Sequence, residues 1–187
     1  MQLAAKNGHL DVVKVLLNHV DEPNVPGWDG LTPIQIAADA GHAEIVKAIA
    51  VFTERPNDPG LGDWTPIQMA ADKGHAKVVE YLIPFTDNPN ETAIIKWTPI
   101  QLAAYKDYYD VVKILAENIA SPNLPGYNGV TPIQIAASAG YPKTIEVLLP
   151  FTKNPNETGF RKTTPIQLAA KNGHLEVVKL LTRYGFT

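Results

Sequence analysis

The stretch GLTPIQIAADAGHAEIV, residues 30–46, holds the start of one short helix, its end and the start of a second. Thr32 is placed to cap, and Pro33 suits the first turn because its missing N–H has no helical partner there in any case. The run from Ile34 to Ala40 reads as a helix with small alanines on one side, which allows a neighbouring helix to come close. Gly41 supplies the positive φ that ends it. A second helix follows, with apolar residues at Ala43, Ile45, Val46, Ala48, Ile49 and Ala50. Such a pair is apolar on more than one side and cannot cover itself, so it must stack on neighbours.

Working outward, the tripeptide Thr-Pro-Ile recurs at Thr32, Thr65, Thr98, Thr131 and Thr164, each 33 residues after the last. Gln35, Gln68, Gln101, Gln134 and Gln167 recur with it, each followed by an apolar residue and Ala-Ala. Projected backward, Gln2 falls in the same register. Six units result, at about 1–31, 32–64, 65–97, 98–130, 131–163 and 164–187, the first and last incomplete, and they are expected to form one domain. Between the helix pairs lie Pro23-Asn24, Pro56-Asn57, Pro89-Asn90, Pro122-Asn123 and Pro155-Asn156, each leading into a stretch such as Val25-Pro26-Gly27-Trp28-Asp29-Gly30. These read as protruding turns or fingers.

Thr-Pro-Ile-Gln-x-Ala-Ala-x-x-Gly-His at a period of 33 residues resembles the ankyrin repeat, whose usual phrase has Leu-His where this chain has Ile-Gln. The resemblance covers the whole chain. It implies an all-α solenoid of stacked helix-turn-helix units with β-hairpin or turn fingers projecting from it. It implies as well a module that binds other proteins through the hairpin tips and the concave face of the first helices. Gln in place of His is compatible with this frame, because an amide both donates and accepts and can serve the same bonding between units. The fourth unit departs further: Asp107 stands at the glycine site and Tyr108 at the histidine site, and the turn there is expected to be reshaped.

Composition narrows the function. The apolar fraction of 45% with 19% charged residues is that of a globular protein, and the net charge of −3 from well-mixed residues offers no basic field for nucleic acid. With no cysteine, disulfides, thiolate metal ligands and a cysteine nucleophile are excluded. No segment is apolar enough to span a membrane, and the first residues lack a secretion signal. The sequons at Asn90 and Asn156 are then coincidental. The expected chain is a soluble monomer, cytoplasmic if natural and otherwise a recombinant product.

Four of the five histidines, His9, His42, His75 and His174, share one repeat position, with His19 apart. Equivalent sites in stacked units lie a helix-pair spacing apart, too far to share a metal ion whose bonds are near 2 Å. They are expected to bond at the start of each second helix, where Asp11, Glu44 and Glu176 favour the helix dipole. Gly60-Leu61-Gly62 lacks the rest of a dinucleotide fingerprint, and no nucleophile with its base stands outside the period. No enzyme activity, cofactor or metal is expected.

What the units do not share carries the binding reading. The first finger position holds Trp28, Leu61, Ile94, Tyr127 and Phe160, and the next holds Asp29, Ile95, Asn128 and Arg161. Just before Thr-Pro stand Leu31, Trp64, Trp97, Val130 and Thr163. All three tryptophans therefore sit in fingers, where they read as interface anchors or as packing between neighbouring fingers. Lys6, Asp39, Asp72, Lys73, Lys106, Lys171 and Asn172 would line the rest of the binding face, with the fourth unit, through Ile94, Ile95, Trp97, Tyr105 and Lys106, at its centre. Phe52, Phe85 and Phe151, which end second helices in Phe-Thr pairs, are expected to be buried between units.

The last unit ends in a more polar run, residues 181–187, suited to capping the stack, and the first begins inside its own first helix, as a trimmed array or a deliberate design would. Residues 4–14 match residues 169–179 except for Asp11 against Glu176. That identity, the even period and the lack of cysteine suggest an engineered scaffold without a specific natural partner; recent duplication in a natural array would give the same pattern.

Overall fold

A computed structural model describes the chain apart from residues 28, 61–63, 87–96, 127–128, 155 and 157–161. Trp28, Leu61, Ile94, Ile95, Tyr127, Asn128, Phe160 and Arg161 therefore lie outside the described residues. The chain divides into two compact units, Met1–Pro89 and Asn90–Thr187.

The first unit holds α1 (Gln2–Lys6), α2 (Leu10–Leu17), α3 (Pro33–Ala40), α4 (Ala43–Ala50), α5 (Pro66–Lys73) and α6 (Ala76–Leu82), the last running into a 3-10 turn at Ile83–Phe85. Its first helices form one layer, α3 packing on both α1 and α5, and its second helices another, α4 packing on α2 and α6. The second unit repeats the plan with α7 (Pro99–Tyr105), α8 (Tyr109–Asn118), α9 (Pro132–Ala139), α10 (Pro142–Leu148), a 3-10 turn at Leu149–Phe151, α11 (Pro165–Lys171) and α12 (Leu175–Arg183). There α9 lies between α7 and α11, and α10 between α8 and α12. No strand occurs among the described residues. The finger before α3 closes as a turn, with Gly27 N–H donating to Leu31 O and Gly30 N–H to Gly27 O, and the one before α9 does the same through Gly126 and Gly129.

The sequence dictates this locally. Each Thr of Thr-Pro-Ile caps its helix through its hydroxyl, while the Gln three residues on accepts the Thr N–H, a reciprocal capping box present in α3, α5, α7, α9 and α11. Ala37, Ala38, Ala70, Ala71, Ala103, Ala104, Ala136 and Ala137 are fully buried, as a close approach of first helices requires. Ile34, Ile67, Ile100 and Ile133 are buried beside them, and each such side chain contributes roughly 1.5–3 kcal/mol.

Three expectations are corrected. The histidines head the second helices but their side chains do not cap them. Instead Nε2 of His42, His75 and His174 faces Lys6 O at 3.2 Å, Asp39 O at 3.0 Å and Ser138 O at 3.0 Å, at the end of the preceding repeat's first helix. A carbonyl only accepts, so Nε2 carries the proton, and the bond ties one repeat to the next.

The turn at Asp107 is not reshaped. It keeps φ at +58°, close to the +79° of Gly41, and the cost of that conformation is offset by Thr144, whose hydroxyl donates to Asp107 Oδ1 at 2.7 Å. At Gly8, Gly41 and Gly140 a Cβ would meet the next repeat's imidazole, 2.8 Å, 2.7 Å and 2.5 Å away. In the repeat after Asp107 the histidine site holds Tyr141, and the apolar site of the second helix holds Thr144.

The phenylalanines are not buried between units: Phe52 is 57% exposed, Phe85 43% exposed, and Phe151 half-buried. The following Thr53, Thr86 and Thr152 each donate their hydroxyl to the carbonyl four residues back, at 2.8–2.9 Å. That bond draws the threonine against the helix end and leaves the preceding ring outside.

Candidate functional site

The frame of the first-helix face is built by glutamine. Gln35 is fully buried. Its Oε1 accepts Thr32 N–H at 2.7 Å, and its Nε2 donates to Pro59 O and Trp64 O, both at 2.7 Å, in the finger that leads into the next helix pair. Gln2 Nε2 donates in the same way to Leu31 O, Gln101 to Val130 O at 2.6 Å and Gln134 to Thr163 O at 2.9 Å. The residue before Thr-Pro thus does two jobs. Its carbonyl belongs to the frame, and its side chain is left over for the face.

In the first unit the face is largely self-satisfied. Leu31 is half-buried, and its N–H donates to Asp29 Oδ1 at 3.1 Å, so the exposed Asp29 closes its own finger. Trp64 is half-buried. Asp39 and Lys73, one repeat apart, pair at 3.6 Å. As an exposed pair this adds little stability, and it engages two residues expected to meet a partner. Asp72 is half-buried.

The second unit brings more together. Trp97 and Tyr105 meet edge to face, with ring centroids 5.2 Å apart and planes at 88°. They form one wall of a groove of about 540 Å³ lined also by Val130, Gln134, Ile135, Ser138, Ala139, Thr163, Leu168 and Lys171. Tyr105 is 57% exposed, Trp97 half-buried and Lys106 exposed beside Tyr105. Asn172 does not stand free on the face, because its Nδ2 donates to Ser138 O at 2.6 Å and to Ser138 Oγ at 3.0 Å.

The groove follows from one step in the repeat. Asp39 is met by Lys73, and Ser138 by Asn172, each 34 residues later. Tyr105 occupies the same register as Asp39 and Ser138, but the residue 34 places on is Ala139, too short to bridge the repeats. Sequence reasoning missed Ile135 and Leu168 as wall residues. Their signal is the position after Gln, always apolar, which a helix-pair reading assigns to the core.

A second kind of surface was not expected from the sequence. Exposed Phe52 lines an open groove of about 540 Å³ with residues 21–26, Thr32, Thr53, Glu54, Arg55, Asp58 and Gly60. A smaller one of about 310 Å³ recurs at the same register with residues 120–124, Pro150, Phe151 and Lys153. Arg55 and Asp58 pair across the first at 3.2 Å.

No group of three or more His, Asp or Glu among the described residues could hold a metal ion. No buried side-chain nitrogen or oxygen among them lacks a hydrogen-bond partner. No described helix is long and apolar enough to cross a membrane.

The search of curated proteins found no match. Among solved structures the chain is similar to the crystal structure of the human ASB11 ankyrin repeat domain, with a TM-score of 0.84 and 24% identity over 100% of this chain and 83% of that one, a likeness of fold. A family model described as ankyrin repeats (3 copies) matches residues 1–57, 51–126 and 118–187. With its helix pairs, capping boxes and unbroken period, this chain belongs to the ankyrin repeat family.

Proposed function

We propose that the chain is a non-catalytic protein-binding module, acting as one repeat domain and a monomer, that takes its partner on the first-helix face and the finger tips. Ankyrin repeats generally bind proteins. The observation that carries the reading for this chain is the Trp97–Tyr105 pair, an aromatic wall of the groove in which Tyr105 is 57% exposed. Aromatic groups give much contact area for little lost conformational entropy, which suits them as anchors. The partner-facing set comprises Asp29, Leu31, Asp39, Trp64, Asp72, Lys73, Trp97, Tyr105 and Lys106, with Trp28, Leu61, Ile94, Ile95, Tyr127, Asn128, Phe160 and Arg161 at the fingers. Neither a cofactor nor a metal takes part, and nucleic acid and membrane are not partners.

The competing reading is a scaffold without a specific natural partner, on which the face residues serve folding rather than recognition. Two variants separate the readings. In one, Trp28, Ile94, Tyr127 and Phe160 become serine together; in the other, Trp97 and Tyr105 do. Unchanged melting temperature with lost capture of a partner supports binding. A collapse in melting temperature with capture retained overturns it.

A further inference from the structure

The groove between Trp97, Tyr105 and Lys171 has a chemistry that narrows what it would take. Its walls are apolar, with Tyr105 edge-on to Trp97 on one side and Leu168 on the other, over Val130 and Ile135. Its volume, about 540 Å³, lies within the range that takes a small ligand and exceeds what one side chain fills. Among the described residues of the lining Lys171 is the charged one, and no carboxylate among them shares the lining with it. It is exposed at the end of α11 and makes no ion pair among the described residues, whereas Lys73, at the end of α5, is paired with Asp39.

Resting on the protein-binding reading above, we infer that this groove is a specificity site for an acidic segment of a partner protein, one that places a large apolar side chain against Trp97 and Tyr105 and a neighbouring carboxylate at Lys171. The apolar side chain supplies the contact area, and the carboxylate fixes which segment enters. A cation at the same place would meet Lys171 with like charge and, among the described residues of the lining, no acid to offset it, so basic segments are disfavoured. The ammonium sits at an exposed rim, so the charge contributes discrimination more than affinity.

The experiment is a selection of displayed random peptides on the full chain, run in parallel on wild type, K171E and a Trp97→Ser/Tyr105→Ser double variant. Lys171 is exposed and outside the core, so the charge reversal leaves folding intact, and circular dichroism checks the double variant. Expected is a wild-type pool enriched in a large apolar residue beside Asp or Glu. Its members should bind K171E about 3- to 10-fold more weakly, in line with an exposed ion pair and its reversal. Their affinity for wild type should fall as salt is raised, while their affinity for K171E does not. If the wild-type pool depends on Trp97 and Tyr105 but shows no acidic bias, or binds K171E equally well, the acidic-segment inference is overturned while protein binding at this face stands. If no pool depends on Trp97 and Tyr105, both readings of the groove fall together.

Discussion

Replacing Gln35 should expose how much of the repeat frame hangs on one amide. Its side chain satisfies three backbone groups: the Thr32 N–H and the carbonyls of Pro59 and Trp64. Gln35→Leu keeps the volume and removes all three bonds in a fully buried site. Each buried backbone group left without a partner costs about 1–3 kcal/mol, and partial relaxation of the Pro59 and Trp64 loop lowers the sum, so the variant should lose about 3–5 kcal/mol. Gln35→His restores the phrase usual in the family. An imidazole offers one acceptor and one N–H, enough for Thr32 and one carbonyl, so this variant should lie between the two, about 1–2 kcal/mol below wild type. Urea unfolding gives the totals. Amide hydrogen exchange at Thr32 gives the local effect, since that N–H has lost its acceptor even if other repeats stay folded. A Gln35→Leu variant within about 1 kcal/mol of wild type, with Thr32 still protected, would refute the argument.

Three further outcomes are expected. In a double-mutant cycle, Asp107→Gly strands the buried Thr144 hydroxyl and Thr144→Val strands the Asp107 carboxylate, so the double variant should be more stable than the two losses added, with a coupling of about 1 kcal/mol or more by urea unfolding. Gly140→Ala should cost more than Gly173→Ala: both sites have positive φ, for about 1–2 kcal/mol of backbone cost, but a Cβ at Gly140 also meets His174 at 2.5 Å and one at Gly173 meets nothing within 4 Å. Lys47 stands 5.1 Å from the Tyr81 ring centre, and the Tyr81 phenolic oxygen, first as hydrogen-bond acceptor and then through its charge as phenolate, holds the Lys47 ammonium above the ordinary 10.5. A raised value favours the protonated form in the folded chain, so the contact is complete below pH 10.5 and is lost as pH rises through the raised value; Tyr81→Phe should move the Lys47 midpoint down in an NMR titration, and an unmoved midpoint contradicts the contact.

Much of the fold was legible because its signals are local. Thr32 and Pro33 start α3 by capping chemistry, and Gly41 ends it in the left-handed conformation, whatever the rest of the chain does. The period then repeats that local instruction, and the apolar faces it creates leave stacking as the way to bury them. Two of the three misreadings concern where a side chain points once stacking has happened; the third, at Asp107, missed the Thr144 hydroxyl that stacking brings to its carboxylate. The histidines were placed at the right position but given the wrong partner, because the carbonyls of Lys6, Asp39 and Ser138 lie 36 residues back in the chain. The phenylalanines look like core by hydrophobicity, yet a threonine hydroxyl at each helix end decides their direction.

By itself, then, the sequence determined the repeat, the helix pairs, the capping boxes and the rows of varying residues, since each depends on neighbours within a few positions or on a fixed period. Only the tertiary structure decided which varying residues are spent inside the frame and which remain to meet a partner. Asp39 and Lys73 turn toward each other, while Tyr105 faces Ala139 and leaves a groove beside Trp97. Both outcomes come from the same rows of sequence. They differ because the later residue of a pair 34 places apart must carry a polar side chain long enough to reach back, as Lys73 and Asn172 do and Ala139 does not, and that distance is set by how closely the buried alanines let the first helices approach.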